Sequence, residues 1–194
     1  MSDVLLDPNA IEACVEKIAG EISARSRARG ESPIIVSIRR GGDLVTERLV
    51  PRLTNAMGKS PLVGAVDITL YRDDAATALP NPRIGPSHLP GSIDKKWIIL
   101  IDDVISTGRT IRAALDALLD FGRPRSVELA VLVDRGGREL PIQPDYVGLK
   151  TEVDRAQRVE VMTKRRGPAA GDEEPWAILV PPNPTPSHPG ERKP

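Results

Sequence analysis

The stretch of residues 98–110 constrains the fold of this chain more than any other part of the sequence. Four apolar residues are followed by the acid pair Asp102 and Asp103, by a short turn that contains Gly108, and by a run with helical apolar spacing. A buried strand that passes through a glycine turn into an amphipathic helix is one unit of a layered α/β protein. We therefore predict a strand, a turn and a helix in direct succession.

The turn in this stretch has the composition of an anion-binding loop. Successive backbone N–H groups and the positive end of the following helix can point at one phosphate, while Thr107 and Thr110 add hydroxyl donors. Gly108 allows the backbone to approach a ligand closely, because it has no side chain. These features predict a phosphate site between the strand and the helix.

The acid pair suits a sugar beside that phosphate. Asp102 and Asp103 can accept hydrogen bonds from vicinal ribose hydroxyls and can help to place a hydrated Mg²⁺, which prefers oxygen ligands. A simpler interpretation is that the two acids favour the start of a helix, where the helix dipole stabilises negative charge. That interpretation explains the acids but not the glycine turn and the hydroxyls beside them.

Strands and helices alternate along the rest of the chain. Asp7 and Pro8 predict a capped helix that ends near Gly30, and a second helix is expected from about Asp43, with a kink at Pro51. Strands are predicted at residues 34–38, 66–71, 98–101, 127–133, 158–162 and 177–180, and Gly122 is predicted to end the helix after residue 110. This order predicts an α/β fold with a mostly parallel central sheet, helices on both faces and ligands beyond the carboxyl ends of the strands.

Two segments lack any periodicity. Residues 72–94 are rich in Pro, Gly, Asp and Asn and predict a long flexible loop, in which His88 is expected to be an ordinary loop residue. The Pro-rich stretch 181–194 has too little apolar area to fold. We therefore expect one domain over residues 1–180, followed by a disordered tail.

Composition argues against several classes of function. Lys plus Arg and Asp plus Glu both total 27, so no net charge draws the chain to nucleic acid or to a membrane. Cys14 is the single cysteine, which excludes an internal disulfide, and it is expected to be a small buried hydrophobe. No apolar stretch has the length of a signal sequence or a membrane span, and we expect a cytoplasmic protein.

Residues 98–110 resemble the phosphoribosyl-diphosphate binding motif of the type I phosphoribosyltransferases. Further segments are similar to the pyrimidine-operon attenuator proteins that are also uracil phosphoribosyltransferases, at residues 67–74, 129–136, 138–142 and 145–148. The resemblance extends over about residues 7–180. It implies the type I phosphoribosyltransferase fold and the Mg²⁺-dependent transfer of ribose phosphate from phosphoribosyl diphosphate to uracil, which yields UMP and diphosphate.

The resemblance also implies roles for individual residues. Arg40, Gly41 and Arg72 would bind the diphosphate, and residues 72–94 would form the mobile loop that closes over the substrate. Taken alone, Arg39 and Arg40 are equally consistent with a solvated pair at a strand end. Candidates near the base are Arg135 and Arg138. The ribose phosphate would be bound by Asp102, Asp103, Val104, Ile105, Ser106, Thr107, Gly108, Arg109 and Thr110, with Mg²⁺ near the two aspartates.

The chain departs from the family pattern in two places. Gly137 stands where family members usually carry a histidine near the base and the leaving group, so no imidazole is present there. Family members commonly place a threonine, a histidine, an arginine and a lysine toward RNA, where this chain has Glu16, Gly20, Gln143 and Leu149. Since RNA affinity rests largely on phosphate neutralisation, weaker RNA binding is expected, with Arg25 and Arg138 as the remaining contacts.

Three functions remain open at the level of sequence. The first is a uracil phosphoribosyltransferase. The second is an RNA-binding transcriptional attenuator that uses the same pocket only to sense UMP or phosphoribosyl diphosphate. The third is a type I phosphoribosyltransferase for another base, such as a purine or orotate. By analogy with the family, a homodimer or a higher homo-oligomer is expected.

Overall fold

The computed structural model of the protein describes residues 3–71, 87–154, 156–165 and 173–180. Within these ranges the helices are α1 (Pro8–Arg29), α2 (Gly41–Met57) and α3 (Arg109–Leu119). The strands are β1 (Asp3–Leu6), β2 (Ile34–Ile38), β3 (Leu62–Val66), β4 (Trp97–Ile105), β5 (Ser126–Asp134), β6 (Tyr146–Lys150), β7 (Arg158–Arg165) and β8 (Glu173–Val180). None of the described helices is both long and apolar enough to cross a membrane. The predicted tail and residues 72–86 of the predicted loop lie outside the described residues.

Five strands form a parallel sheet in the order β3-β2-β4-β5-β6. One face carries α1 and α2, whose buried residues Ile11 and Leu49 belong to one apolar core. The other face carries α3, which contributes Ile111 and Leu118 to a second core. The prediction of a parallel sheet with helices on both faces is confirmed, and the carboxyl ends of all five strands lie at one edge of the sheet.

Alternate residues of the central strand β4 build the two cores. Ile99 and Ile101 pack on the side of α1 and α2, whereas Ile98 and Leu100 pack on the side of α3. All four side chains are fully buried. The strand reads as a continuous apolar run because helices cover both of its faces.

A second, antiparallel sheet has the order β1-β8-β7. β7 and β8 contain the strands predicted at residues 158–162 and 177–180, and both are longer than predicted. β1 pairs with β8 and has no counterpart in the prediction, because four residues are too few to show a period. Leu6 and Val159 are buried in the core beneath α1 and α2, so this small sheet packs on that side of the molecule.

The predicted strand at residues 66–71 is wrong. β3 ends at Val66, and the chain then turns, with the Asp67 carboxylate accepting the amide of Thr69 at 2.8 Å. The amide of Tyr71 closes the turn on the carbonyl of Ile68 at 2.9 Å. Side chains such as Asp67 compete with strand pairing by binding the local backbone. β6 also lacks a counterpart in the prediction.

The helix boundaries agree with the sequence signals to within a few residues. Asp7 caps α1 by accepting the amide of Ala10 at 2.8 Å, and left-handed Gly30 ends the helix. α2 begins at Gly41 rather than near Asp43. α3 ends at Leu119, three residues before Gly122.

The described end of the predicted loop, residues 87–94, is attached to the body of the protein. His88 pairs with Ala65 of β3 through two backbone hydrogen bonds of 2.7 and 2.8 Å. Ile93 is fully buried in the core beneath α3. This part of the predicted flexible loop therefore covers the edge of the large sheet.

Candidate functional site

Three connections meet at the carboxyl edge of the large sheet, after the neighbouring strands β2, β4 and β5. The first two are in direct contact. An ideal Cβ built on Gly41 would lie 2.5 Å from both carboxylate oxygens of Asp103, and one on Gly42 would overlap the carbonyl oxygen of Ile101. This approach requires glycine at both positions. The structure thus brings Gly41, a predicted diphosphate ligand in the turn after β2, against the acid pair.

The acid pair lies inside β4 and not after it, which corrects the prediction that the strand ends at residue 101. Asp102 is 4% exposed, and its Oδ1 accepts the amide of Asp103 at 3.0 Å. Oδ1 of Asp103 accepts the amide of Val104 at 2.7 Å. The extended backbone thus holds both carboxylates at the edge where the turn of Gly41 arrives.

Burial perturbs both carboxyl groups. It raises the pKa of Asp102 well above the usual value, and the negative charge of Asp103 raises that pKa further. Burial also raises the pKa of Asp103, although the hydrogen bond from the Val104 amide acts in the opposite direction. Two adjacent carboxylates with little access to water are stabilised by a cation or by hydroxyl donors. The pair is therefore suited to ribose hydroxyls and to a hydrated metal ion.

The carboxylates of the acid pair suit Mg²⁺ only if a substrate supplies further oxygen ligands. Within the described residues, no cluster of three or more His, Cys, Asp or Glu side chains could hold a metal ion. Asp102 and Asp103 would supply only a part of the six oxygen ligands that Mg²⁺ prefers. The site fits a Mg²⁺ ion that keeps several waters and takes its other ligands from a phosphorylated compound.

The predicted phosphate turn, residues 106–108, leads directly into α3. Gly108 is the residue before the helix and has a φ of 90°, a conformation that favours glycine. Oγ1 of Thr107 accepts the amide of Arg109 at 3.3 Å, and Thr110 is exposed in the first helical turn. The positive end of α3 therefore lies at the carboxyl edge, where it can bind an anion.

Besides the acid pair, two further residues of the predicted phosphate stretch belong to β4 instead of the turn. Ile105 is 1% exposed in the core beneath α3, and its carbonyl accepts the amide of Arg135 at 3.1 Å. Val104 is partly buried against the opposite core. Ligand contacts by these residues stay a prediction, and for Ile105 they would come from the backbone.

Arg135 and Arg138, the candidates for the base side, both bind protein acceptors. Arg135 is 8% exposed and donates to the carbonyls of Asp154 and Gln157 at 2.9 and 2.6 Å. It thereby links the end of β5 to the chain that leads into β7. Arg138 forms an ion pair with Asp134 at 2.8 Å. Their contacts with a base stay predictions.

The turn after β2 is stabilised by a pair that the sequence did not reveal. Ser37 in β2 donates to Oδ1 of Asp43, in the first turn of α2, at 2.5 Å. The signal for this pair is a single hydroxyl within the apolar strand. Arg40 is exposed at the start of α2, and Arg72, the other predicted diphosphate ligand, lies outside the described residues.

The residues predicted to face RNA make contacts within the chain. Arg25 is paired with the buried carboxylate of Glu128 at 2.9 Å, and Arg29 binds the same carboxylate oxygen at 2.6 Å. Glu16 pairs with Arg52 of α2 at 3.0 Å. The side chain of Arg25 is still 45% exposed, so its contact with RNA stays a prediction.

An open cleft of about 690 Å³ lies at the opposite, amino-terminal edge of the sheet. The ends of α1 and α2 and the start of β3 line it, together with Arg27, Lys59 and Lys96. The negative ends of two helices stabilise these cations and disfavour a bound anion. The cleft is also separate from the candidate site, which lies at the carboxyl edge of the sheet.

Comparison with known proteins identifies similar sequences. The family of the phosphoribosyl transferase domain matches residues 1–163. The bifunctional protein PyrR of Pelotomaculum thermopropionicum is 45% identical over 157 residues, which cover 81% of this chain and 86% of the relative. The bifunctional protein PyrR of Bacillus cereus strain B4264 is 45% identical over 160 residues, covering 81% of this chain and 88% of the relative.

Solved structures show the same fold at lower identity. The hypoxanthine phosphoribosyltransferase of Trypanosoma cruzi is 15% identical, with a TM-score of 0.65 and coverage of 93% of this chain and 97% of that chain. A hypoxanthine phosphoribosyltransferase from Staphylococcus aureus is 23% identical, with a TM-score of 0.60 and coverage of 80% of each chain. At this identity the two structures establish the fold alone.

Proposed function

The chain belongs to the phosphoribosyl transferase domain family and, within it, to the bifunctional PyrR proteins, and from this premise we propose that it is a uracil phosphoribosyltransferase. One observation carries the proposal. The turn of Gly41 lies against Asp103 at the edge from which the phosphate turn leads into α3. A diphosphate turn, an acid pair for ribose hydroxyls and a phosphate turn thus adjoin one another.

The reaction places distinct demands on these parts. The bond between C1 of the ribose and the diphosphate oxygen breaks, a bond from C1 to N1 of uracil forms, and the N1 proton leaves to solvent. Positive charge develops on the sugar and negative charge on the diphosphate, so ligands must hold both ends of the donor. Asp102 and Asp103 would hold the ribose hydroxyls, the turn of Gly41 would hold the diphosphate, and the turn of Gly108 would hold the 5-phosphate of the ribose.

We also propose that Asp102 and Asp103 hold a hydrated Mg²⁺ together with the substrate. When bound, this ion neutralises charge that develops on the leaving diphosphate. The raised pKa values of both carboxyl groups support this role, because a nearby cation favours two adjacent ionised carboxylates.

Gly137 leaves the base side without an imidazole. An ideal Cβ at this position would lie 3.5 Å from Oγ of Ser106, so the family histidine would project from beside the phosphate turn. We propose that backbone groups and water take its place and that turnover persists. The acids and both turns do not depend on this position.

RNA-dependent attenuation is a second proposed function, which the relatives' designation as bifunctional proteins favours. Glu16, Gly20, Gln143 and Leu149 oppose it, since they remove positive charge or add negative charge. A gel-shift titration against a pyrimidine-operon leader RNA tests this function. The absence of a shift at low salt would reject it.

The assembly and location follow the family in our proposal. We propose a homodimer or a higher homo-oligomer that acts in the cytoplasm, built from a domain of residues 1–180. Sedimentation velocity measures the assembly, and a monomer at micromolar concentration would contradict it.

Formation of labelled UMP from uracil, phosphoribosyl diphosphate and Mg²⁺ tests the main proposal. The control is the double variant Asp102→Asn/Asp103→Asn, which retains the shape of the site but removes both charges. Turnover that disappears in the control would support the enzyme. If turnover is absent while phosphoribosyl diphosphate or UMP still binds, the attenuator becomes the better function. Turnover with hypoxanthine or orotate in place of uracil would assign another base.

A further inference from the structure

Residues 138–142 contact the phosphate turn from the side of β5, and we propose that this segment, here called the brace, aims the turn at its ligand. Arg138 is the principal positioning residue, and Glu139 is a secondary one. The inference rests on the proposed function, because it assigns how the phosphoribosyl group of the substrate is recognised. It concerns the protein's own phosphate turn and requires no contact between the brace and the substrate.

The guanidinium of Arg138 is bound on all of its sides. Nε donates to the carbonyl of Ile142 at 2.9 Å, and Nη1 donates to the carbonyl of Ser106 at 2.9 Å. Nη2 pairs with Asp134 at 2.8 Å and lies 3.3 Å from the amide oxygen of Gln143. The side chain is 15% exposed and that of Asp134 is 6% exposed. Little water competes for these contacts, so they are stronger than those of a surface pair.

Backbone contacts reinforce the same connection. The amides of Glu139 and Leu140 both donate to the carbonyl of Thr107 at 3.0 Å. The side chain of Glu139 accepts Nε of Arg109 at 2.7 Å, although both side chains are about half exposed. An ideal Cβ on Gly108 would lie 3.4 Å from Cβ of Leu140, so the brace packs directly on the turn.

These contacts orient the N–H groups of the turn. In a planar trans peptide the C=O and the following N–H point in opposite directions. Because the carbonyls of Ser106 and Thr107 point at the brace, the amides of Thr107 and Gly108 point away from it. Two successive amides that point the same way form an anion-binding concavity. The brace therefore determines where the turn presents its donors.

Arginine is required at position 138 by the arrangement of the acceptors. Its planar guanidinium reaches carbonyls and a carboxylate in several directions at once, whereas the ammonium of lysine carries all of its donors on a single nitrogen. Lysine at this position would keep the pair with Asp134 and lose part of the contacts with the carbonyls.

The test compares four variants of the full-length protein: Arg138→Gln, Arg138→Lys, Glu139→Gln and the control Arg27→Gln. Arg27 is exposed at the amino-terminal edge of the sheet, far from the brace. Arg27→Gln changes the net charge by the same amount as Arg138→Gln. Calorimetry with ribose 5-phosphate and with phosphoribosyl diphosphate measures affinity, and initial rates give KM for each substrate. Amide hydrogen exchange at Thr107 and Gly108 reports the turn directly.

Arg138→Gln is expected to weaken phosphosugar affinity and to raise KM for phosphoribosyl diphosphate by about tenfold or more. KM for uracil should stay within about twofold, which distinguishes the brace from the predicted contact of Arg138 with the base. Arg138→Lys should recover part of the affinity. Glu139→Gln should change the phosphosugar affinity by less than about threefold, because the ion pair of Glu139 with Arg109 is exposed to solvent. Exchange at the two amides should accelerate in Arg138→Gln and stay unchanged in Arg27→Gln.

Unchanged phosphosugar affinity in both Arg138 variants would overturn the brace. A fall in kcat together with a rise in KM for uracil, with unchanged exchange at the two amides, would overturn it as well. If Arg138→Gln does not fold, Arg138→Lys decides by the same criteria. Failure of the unaltered protein to bind either phosphosugar would instead reject the proposed function, and the brace with it.

Discussion

At the scale of single residues, Asp102 is buried in surroundings that disfavour its ionised form. It is 4% exposed beside a second carboxylate, and in the absence of ligand its charged form is disfavoured by burial and by Asp103. Groups that are held ready for a ligand commonly destabilise the free protein. In the proposed function, the acid pair would bind the ligand at the expense of folding stability.

The variant Asp102→Asn is expected to be more stable than the unaltered, ligand-free protein at neutral pH. The folded-state pKa of Asp102 lies above the ordinary value of 3.8, so between these two values the folded protein retains a proton that the unfolded chain has released. Stability therefore falls as the pH rises through this window. The side chain of asparagine does not titrate in this range, and its oxygen can still accept a hydrogen bond from the Asp103 amide.

Urea unfolding across the acid-to-neutral range measures this effect. The difference between Asp102→Asn and the unaltered protein should vanish in acid, grow as the pH rises, and level off above the folded-state pKa. A variant that is less stable at neutral pH would contradict the assignment of Asp102 as a destabilised carboxyl group.

Gly41→Ala is expected to lower kcat/KM for phosphoribosyl diphosphate by about 100-fold, the scale of an ångström displacement at a reacting centre. The added Cβ would lie 2.5 Å from the carboxylate oxygens of Asp103, so either the turn or the acid must move. Steady-state kinetics measures the effect. Gly20→Ala is the matched control, because its Cβ would meet no atom within 4 Å. Equal activity in both variants would show that the contact has no catalytic importance.

At the scale of elements, the amino-terminal half of β5 is tied to α1 and β6 through one carboxylate. Glu128 is 6% exposed, pairs with Arg25 and Arg29, and accepts the hydroxyl of Tyr146 at 2.6 Å. Arg29 also lies over the ring of Trp97, 4.3 Å from its centroid. Burial and the bond to Glu128 raise the pKa of Tyr146, so this hydroxyl remains protonated.

Glu128→Gln is expected to lower the free energy of unfolding by about 1–3 kcal/mol, because it removes the charge that Arg25 and Arg29 share. Chemical denaturation measures the change. Glu21→Gln, an equal change of charge at an exposed position of α1, should have no effect beyond about 0.5 kcal/mol. Affinity for phosphoribosyl diphosphate should not change, since Glu128 lies far along β5 from the carboxyl edge. Equal stability of the two variants would show that the network is not stabilising.

At the scale of the whole molecule, binding and folding are coupled. The proposed site draws on connections after β2, β4 and β5, and a ligand that spans them binds the folded state alone. A ligand at 100 times its Kd then adds about 2.7 kcal/mol to the free energy of unfolding. The site therefore makes thermal stability a measure of occupancy.

Phosphoribosyl diphosphate with Mg²⁺ at that excess should raise Tm by about 5–10 °C for a domain of this size. Differential scanning calorimetry measures the shift, and each component alone should give a smaller one. The double variant Asp102→Asn/Asp103→Asn should lose most of the shift, although its own Tm in the absence of ligand is expected to be higher. An equal shift in the double variant would place the ligand elsewhere.

Local sequence signals determined the elements of this protein where a few adjacent residues carry the information. The cap at Asp7, the apolar strand of residues 34–38 and the strand–turn–helix of residues 98–110 each depend on neighbours in the chain. The same stretch predicted the acid pair and the phosphate turn. The strand predicted at residues 66–71 failed for a local reason as well, because the side chain of Asp67 binds the backbone two residues on.

Only the tertiary structure decided how these parts are arranged, because the decisive contacts join residues that are far apart in sequence. No period or motif in the sequence reveals the approach of Gly41 to Asp103 or the bond from Arg138 to Ser106. The same is true of the two arginines that share Glu128. Arginine in a sequence can bind a ligand or a carbonyl equally well. Which of these it binds is determined by the acceptors that the folded sheet brings within reach.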